Sequence, residues 1–360
     1  MVAEGRQDAI LRELELHGSM QVTAFATRHG VSPMTVRRDL ARLEDLGLLE
    51  RVHGGAISRS VATQRSRADR RDGRVARPVA TIGMVVPSAD YYYPAVIQGA
   101  QAAARDYAVR LVLGTTNYSV TQEVRQAERL LRGGVDGLLI TPASQVDQDS
   151  PVRELLATAT KPVVVVEREV LPGPGSATIE SVRTDHAYGA ELAMQHLYEL
   201  GHRRVLLAAR TSATAPWLRL GHRRVLERNG EDPEGLFWTL PNPRIGTDDL
   251  VTSVEQLVEH CVQQGVRAVV IHNDTDAMAF VDLAAERGFH TPRDFSIVAY
   301  DDEFAALAQV PITAVAPPKF DLGHSAMRMC FERLTSRTPA SAVIRATLIP
   351  TLVQRESTAS

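Results

Sequence analysis

The stretch VSPMTVRRDLARLEDLGLLERVHGGAI, residues 31–57, decides how the first part of the chain folds. Ser32 followed by Pro33 is typical of a helix start, because serine caps free backbone N–H groups and proline suits the first helical turn. Apolar residues then recur at helical spacing as far as Gly47. The stretch therefore predicts a helix that begins at Pro33. Its outward face carries Met34, Thr35, Arg37 and Arg38.

Two shorter helices are predicted before it, over residues 4–17 and 22–29, separated from the third by the turn-forming Gly30. Three short helices with a glycine turn before a Ser-Pro start indicate a helix-turn-helix, whose recognition helix fits the major groove of DNA. Arginines on that helix can bind guanine edges, and serine or threonine hydroxyls can bind phosphate or base. The alternative is a three-helix bundle with an arginine-rich surface.

Residues 4–57 also resemble the DeoR-type winged helix-turn-helix, in which a Val-Ser-x-x-Thr-x-Arg-Arg-Asp-Leu helix leads to a wing that ends in Arg-x-His-Gly-Gly-Ala. The resemblance, together with the outward face, implies the following contacts with double-stranded operator DNA: Ser32, Met34, Thr35, Arg37, Arg38, and Arg51 and His53 in the wing. His53 could instead only shape the wing. Asp39 is expected to pair with an arginine or to hold the helix, since it would be repelled by DNA.

A basic, polar segment at residues 58–78 separates this domain, residues 1–57, from the rest of the chain. Residues 51–77 hold eight arginines and only two aspartates, although the whole chain has a net charge of −3. Such a segment can neutralise phosphates, or it can be a solvated linker alone.

Beyond it, over 79–360, short runs of Val, Ile and Leu alternate with helical segments, a pattern typical of parallel sheets with crossover helices. Seven strands are predicted, over residues 79–86, 109–116, 137–141, 162–167, 204–209, 267–272 and 295–300. A polar break between Glu167 and Val182 indicates two sheets, and hence two lobes with a cleft between them. Cys261 and Cys330 lie in apolar surroundings, which favours core positions over a disulfide or a metal site.

Ligands of open parallel sheets lie at the carboxyl ends of the strands, so the residues that follow each run are the candidates for binding. The first strand is followed by three tyrosines, and later strands are followed by carboxylates, an arginine and an amide. Aromatic rings with these polar groups suit a sugar or a similar polyol, although some strand-end carboxylates could instead cap helices. We expect one or two of Tyr91, Tyr92 and Tyr93 to pack in the core.

Residues 79–356 resemble the sugar-binding domain of the LacI family, through IGMVVP, GVDGLLI, LGHRRVLLA, HNDTDAMA, SIVAYDD and LVQREST. The resemblance implies a two-lobed fold of the type I periplasmic-binding-protein kind, with two Rossmann-like parallel-sheet subdomains. It implies ligand contacts at an aromatic residue among Tyr91, Tyr92 and Tyr93, and at Glu167, Arg168, Asn273 and Asp301. Trp217 and Arg219 stand near the position of the family's ligand arginine, but Arg219 precedes Gly221 by two residues instead of three or five. The LacI-type headpiece is replaced by the DeoR-type module.

The whole chain has 360 residues, no long apolar run and a charged start without a signal peptide, so we expect it to act in the cytoplasm. A solute-binding protein of a sugar transporter would not use residues 4–57. A small-molecule enzyme would need a catalytic motif, and the sequence carries no GxSxG, HExxH or Walker motif. The sequence therefore favours a homodimeric, ligand-controlled transcription regulator, most simply a repressor, without catalytic residues, metal or cofactor.

Overall fold

The computed structural model describes residues 3–17, 19–45, 48–52, 55–58, 78–147, 149–233, 235–242, 249–336 and 342–358. The chain divides into two compact units, Met1–Arg77 and Pro78–Ser360. The arginines expected in the linker at 59–77 lie outside the described residues. No helix in the described ranges is both long and apolar enough to cross a membrane.

The N-terminal unit is a small winged helix-turn-helix with its own core. Its helices are α1 (Ala3–His17), α2 (Val22–Arg28) and α3 (Pro33–Asp45), and its strands are β1 (Ser19–Gln21), β2 (Leu49–Val52) and β3 (Gly55–Ser58). Ile10, Phe25 and Leu40 of the three helices meet in the core. The antiparallel strands lie in the order β1-β3-β2. β1 was not predicted from the sequence, because three residues are too few to show the alternation of apolar and polar residues that is typical of a strand.

The C-terminal unit, which we call the sensor, contains two six-stranded sheets flanked by helices. The strands are β4 (Ala80–Val86), β5 (Val109–Thr115), β6 (Gly137–Ile140), β7 (Val163–Val166), β8 (Glu180–Thr184), β9 (Val205–Arg210), β10 (Phe237–Leu240), β11 (Ala268–His272), β12 (Ser296–Tyr300), β13 (Thr313–Ala316), β14 (Arg345–Leu348) and β15 (Thr351–Val353). The helices are α4 (Tyr93–Asp106), α5 (Val120–Arg132), α6 (Pro151–Thr158), α7 (His186–Glu199), α8 (Ala215–Arg228), α9 (Asp249–Gln264), α10 (Asp274–Glu286) and α11 (Lys319–Thr335).

Each sheet forms the centre of one lobe. Lobe 1 has the parallel order β14-β8-β7-β6-β4-β5, and lobe 2 has the order β10-β9-β11-β12-β13-β15 with only β15 antiparallel. The chain crosses between lobes three times, after β8, after β13 and after β14. All seven predicted strands are present, and the two-sheet expectation is confirmed.

The polar break does not end the first sheet, however, because β8 continues it. Val182 is fully buried among the apolar residues of lobe 1. Glu180 in the same strand is buried, and its carboxylate pairs with Arg333 of α11 at 2.6 Å. A carboxylate that finds a partner can thus occupy a strand whose sequence looks too polar to be buried.

Glycines allow two helix pairs to approach closely. A Cβ at Gly323 of α11 would lie 1.8 Å from the carbonyl oxygen of Val96 in α4, and one at Gly221 of α8 would lie 2.0 Å from that of Ala187 in α7. One pair belongs to each lobe. Cys330 of α11 and Cys261 are both free and fully buried, which confirms their core positions.

Candidate DNA interface and ligand cavity

The first turn of α3 presents the side chains that the sequence assigned to DNA. Ser32 Oγ accepts the backbone N–H of Thr35 at 3.1 Å, and the two hydroxyl oxygens lie 2.8 Å apart. Ser32 therefore caps the helix. Met34 is 62% exposed and Arg38 is exposed. The side chains of Arg37 and Arg51, and the whole of His53, lie outside the described residues.

A buried ion pair fixes α3 against α1. Arg6 Nε donates to Asp39 Oδ2 at 2.5 Å, and Arg6 Nη2 donates to Asp39 Oδ1 at 3.3 Å. The exposed fractions of the two side chains are 11% and 8%. This confirms that Asp39 pairs with an arginine.

A cavity of about 450 Å³ lies between the two lobes of the sensor, at the carboxyl ends of strands from both sheets. Its volume falls in the range of small-molecule sites, roughly 300–1,000 Å³. The predicted ligand residues that line it are Tyr91, Tyr92, Tyr93, Glu167, Arg168, Asn273 and Asp301. Seven of the nine predicted ligand residues, which were chosen because they follow the carboxyl ends of strands, therefore line one cavity.

All three consecutive tyrosines line this cavity, which the sequence analysis did not expect. Tyr93 packs in the core of lobe 1 and is only 4% exposed, yet its hydroxyl accepts a hydrogen bond from Arg168 Nη2 at 3.2 Å. Tyr92 donates to Glu167, and the Tyr91 hydroxyl accepts the backbone N–H of Asp274 at 3.3 Å. Tyr91 has a φ of 48°, and with this left-handed backbone its side chain takes a different direction from those of Tyr92 and Tyr93.

Glu167 is a fixed anion in the wall of the cavity. Its carboxylate accepts the Thr184 backbone N–H at 2.8 Å and hydroxyl at 2.9 Å, and Oε1 lies 3.2 Å from His186 Nε2. Burial alone would raise the pKa of this carboxyl, but the interaction with His186 and the surrounding hydrogen-bond donors lower the pKa to about 2. The carboxylate is therefore charged at neutral pH.

Arg168, the next residue, is a buried cation whose hydrogen bonds all end on uncharged oxygens. Its Nε donates to the Pro142 carbonyl at 2.8 Å and its Nη1 to the Glu167 carbonyl at 2.7 Å, in addition to the bond with Tyr93. Five N–H groups are available on a guanidinium. Two of those on Arg168 thus remain beyond these three bonds, and the side chain lines the cavity.

Lobe 2 contributes a second arginine, Arg210 at the end of β9. Its Nε and Nη2 donate to the two carboxylate oxygens of Asp276 at 2.8 and 2.6 Å. Asn273 Oδ1 accepts the backbone N–H of Asp276 at 3.5 Å, so this predicted ligand residue also caps α10. Asn273 thus both caps the helix that follows its strand and lines the cavity.

Asp301 lies at the end of β12 with a φ of 107° and is 4% exposed. Burial and the charge of Asp274 raise the pKa of its carboxyl, against the opposing effects of Lys319 and the Tyr91 hydroxyl. The Asp301 side chain lines the cavity, where its carboxyl group can accept hydrogen bonds from a ligand. Asp274 itself accepts backbone N–H groups of residues 302–305 and shapes the loop beside Asp301.

Trp217 and Arg219 of α8 are not among the residues that line the cavity. The Arg183 guanidinium lies 4.7 Å from the Trp217 ring centroid, and the Arg219 guanidinium lies 4.6 Å from that of Phe237. Both side chains are thus engaged in cation–π contacts along α8. This placement differs from the position that the family resemblance suggested for them.

Several cavity residues were missed by the sequence analysis: Tyr118, Ala143, Arg210, Thr211, Ser212, Ala213, Thr214, Asn242 and His272. Tyr118 follows β5 and Arg210 ends β9, so both could have been predicted if the residues at the carboxyl end of every strand had been considered. Asn242 follows β10, a strand that the sequence analysis did not predict.

Comparison with known proteins agrees with both units. The family model of a DeoR-like helix-turn-helix domain matches residues 6–61, and that of a periplasmic binding protein-like domain matches residues 194–358. The arabinose metabolism transcriptional repressor of Geobacillus stearothermophilus is 26% identical over 87% of this chain and 84% of that protein. The ribose operon repressor of Escherichia coli (strain K12) is 28% identical over 77% of this chain and 82% of that protein.

Solved structures share the fold. The complex of the transcriptional regulator CelR with cellobiose matches with a TM-score of 0.67, 24% identity and coverage of 91% of each chain. The transcription regulator CcpA of Lactococcus lactis matches with a TM-score of 0.65 and 22% identity, over 78% of this chain and 99% of that chain. Together, these findings identify the chain as a transcription regulator that joins a DeoR-like helix-turn-helix domain to a periplasmic binding protein-like domain.

Proposed function

We propose that this regulator is a repressor whose affinity for operator DNA is controlled by a sugar that binds between the two lobes of the sensor. The observation that carries the proposal is the cavity itself, since aromatic rings, a charged carboxylate and a guanidinium with unused N–H groups converge on it. By name, two relatives repress arabinose metabolism and a ribose operon, which supports a sugar as the effector.

The chemistry of the wall suits a polyol. Tyrosine rings cover the apolar face of a sugar ring, while carboxyl and guanidinium groups bind adjacent hydroxyls. Glu167 is already satisfied by donors of its own lobe, so it holds Tyr92 in place. Arg168 and Asp301 are the groups that we assign to direct hydrogen bonds with the ligand.

Control of DNA binding would follow from closure of the lobes. The lobes already touch at the cavity, where Gln145 Nε2 of lobe 1 donates to the Ala213 carbonyl of lobe 2 at 2.9 Å. A sugar that bonds both lobes stabilises the closed arrangement in proportion to its differential affinity. In a homodimer, this change alters the spacing of two recognition helices on a palindromic operator, and the sugar releases the DNA.

The DNA half of the proposal can be tested on the full chain with an operator selected from random duplexes. We expect Arg38→Ala to weaken operator binding by about 1–3 kcal/mol, because a base- or phosphate-binding guanidinium is lost. Arg105→Ala is the matched control, since it removes the same charge from an exposed site on α4 of the sensor. Equal operator affinity of Arg38→Ala and wild type, measured by fluorescence anisotropy, would remove α3 as the DNA reader.

The sugar half is tested by thermal shift with a panel of sugars, and by sugar-induced release of the selected operator. We expect Asp301→Asn and Arg168→Ala to lose the sugar shift while they retain operator binding, which also shows that the variants fold. Asp321→Asn, at an exposed position in the first turn of α11, is the matched control. A full sugar shift in both cavity variants would place the effector elsewhere.

A further inference from the structure

The wall of the cavity has two parts that differ in charge and exposure. The inner part consists of Glu167, Arg168, Arg210 and Asp301, each at most 8% exposed. The outer part, at the mouth, consists of Tyr118, Ala143, Thr211, Ser212 and Asn242, none of which carries a charge at neutral pH. Both lobes contribute to each part. A ligand that fills the whole cavity therefore meets charged groups at one end and neutral groups at the other.

Tyr118 is the aromatic residue of the outer part. It is 58% exposed and lies in the loop between β5 and α5. The φ angles of Asn117 and Tyr118 are 50° and 58°, a left-handed conformation that is unfavourable for a bulky residue. Such strain persists where the surrounding structure imposes it, and it is frequent at ligand sites.

The same loop is anchored on both sides of Tyr118. The Thr116 backbone N–H donates to the Val86 carbonyl at 3.1 Å, and Ser119 Oγ accepts the Gln122 backbone N–H at 3.4 Å as the cap of α5. Burial raises the pKa of the Tyr118 hydroxyl, with Arg168 opposing and Asp301 adding to the increase. The ring lines the cavity and is also exposed to solvent at its mouth.

The volume of the cavity exceeds that of one sugar ring. A hexose occupies about the volume of six water molecules, on the order of 180 Å³ if each water takes about 30 Å³. The cavity measures about 450 Å³. A hexose that bonds Arg168 and Asp301 thus leaves room for a second ring of similar size beside Tyr118.

We propose that the outer part is a second sugar subsite, so that the effector has two linked sugar rings and Tyr118 is the platform for the outer ring. This inference rests on the sugar-responsive function proposed above. The inner ring bonds Arg168 and Asp301, and the outer ring stacks on the phenol and bonds the hydroxyl and amide groups of Thr211, Ser212 and Asn242.

Matched pairs of sugars test the subsite on the full chain. Isothermal titration would compare glucose with cellobiose and maltose, galactose with lactose, and xylose with xylobiose. We expect at least one disaccharide to bind tenfold or more tightly than its constituent monosaccharide. Tyr118→Ala should remove that advantage while it leaves the affinity for the monosaccharide unchanged, and Tyr118→Phe should keep most of it. Tyr188→Ala, at an exposed tyrosine of α7, is the control.

The outcomes separate the subsite from the sugar-responsive function. If a monosaccharide binds wild type as tightly as every disaccharide that contains it, or if Tyr118→Ala weakens both equally, the subsite is wrong while the sugar response stands. If none of these sugars binds the wild type, the subsite is wrong, and if the thermal-shift panel of sugars also gives no binding, the sugar response is wrong as well. Because alanine at residue 118 keeps the unfavourable φ, Tyr118→Asn serves as a second variant with a residue that tolerates the left-handed backbone.

Discussion

Among the described residues, each unit of the molecule contains a buried pair of an arginine with an aspartate, and these two pairs differ in what they face. Arg6 and Asp39 join α1 to the inner side of α3 in the N-terminal unit. Arg210 and Asp276 join β9 to α10 in the sensor, and Arg210 also lines the cavity. The first pair holds the reading helix in place. The second pair both supports the fold and forms part of the binding surface.

The difference shows how each site is built. The side chains that we propose to read DNA are exposed on one short helix, and the groups that stabilise this helix lie behind it. The inner wall of the cavity is formed by buried groups, so the groups that stabilise this wall are the same groups that a ligand would meet. Variants of the cavity should therefore cost stability as well as binding, whereas variants of the DNA face should cost binding alone.

The largest effect should come from Asp276→Ala. Removing one partner of a buried pair leaves an uncompensated charge, and Asp276 is fully buried. We expect the sensor to lose about 3–5 kcal/mol of unfolding free energy. Both tryptophans of the chain, Trp217 and Trp238, lie in the sensor, so their fluorescence in urea reports on this unit.

Asp282→Ala, at an exposed position on the same helix, should leave the urea midpoint unchanged. Equal midpoints for the two variants would mean that the Arg210–Asp276 pair carries no stability. The inference that the cavity wall stabilises the fold as well as binding the ligand would then be wrong.

A smaller effect is expected from acid. Burial, His186 and Arg210 lower the pKa of His272 to about 3, from a value of about 6.5 in an unfolded chain. Between these two pH values the unfolded state binds a proton that the folded state does not bind, so stability falls as the pH falls. From pH 6.5 to pH 5 the loss from His272 should be about 2 kcal/mol.

His272→Gln isolates this contribution, because His196, His202 and His222 also have lowered pKa values and act in the same direction. Urea unfolding of the sensor at pH 7 and at pH 5 should show a smaller difference between the two pH values for the variant than for wild type. Identical pH dependence of the two proteins would show that His272 is not held neutral by its surroundings.

The local elements of a contiguous stretch could be predicted from the sequence, whereas the cavity, which two sheets assemble, could be predicted only in part. Residues 31–57 contain a helix start, a helical period and the reading side chains in one stretch, so α3 and the cap at Ser32 could be predicted. Tyr118 follows β5 and Arg210 ends β9, but these strands belong to different sheets, and only the placement of the two lobes shows that both residues line one cavity. Trp217 was placed in the cavity by resemblance, while its ring packs against Arg183.

The smallest effect should come from the N-terminal pair. Arg6 and Asp39 belong to a small unit, and 11% and 8% of their side chains remain exposed. Nearby water therefore weakens the attraction between the two charges, and Asp39→Ala should cost about 1 kcal/mol of unfolding free energy. The unit contains neither tryptophan nor tyrosine, so hydrogen exchange of peptides from α1 and α3 is the suitable measurement. We expect faster exchange in both helices for Asp39→Ala, and no change for Arg38→Ala, whose side chain is exposed. Faster exchange in Arg38→Ala would contradict the separation between a stabilising inner face and a reading outer face of α3.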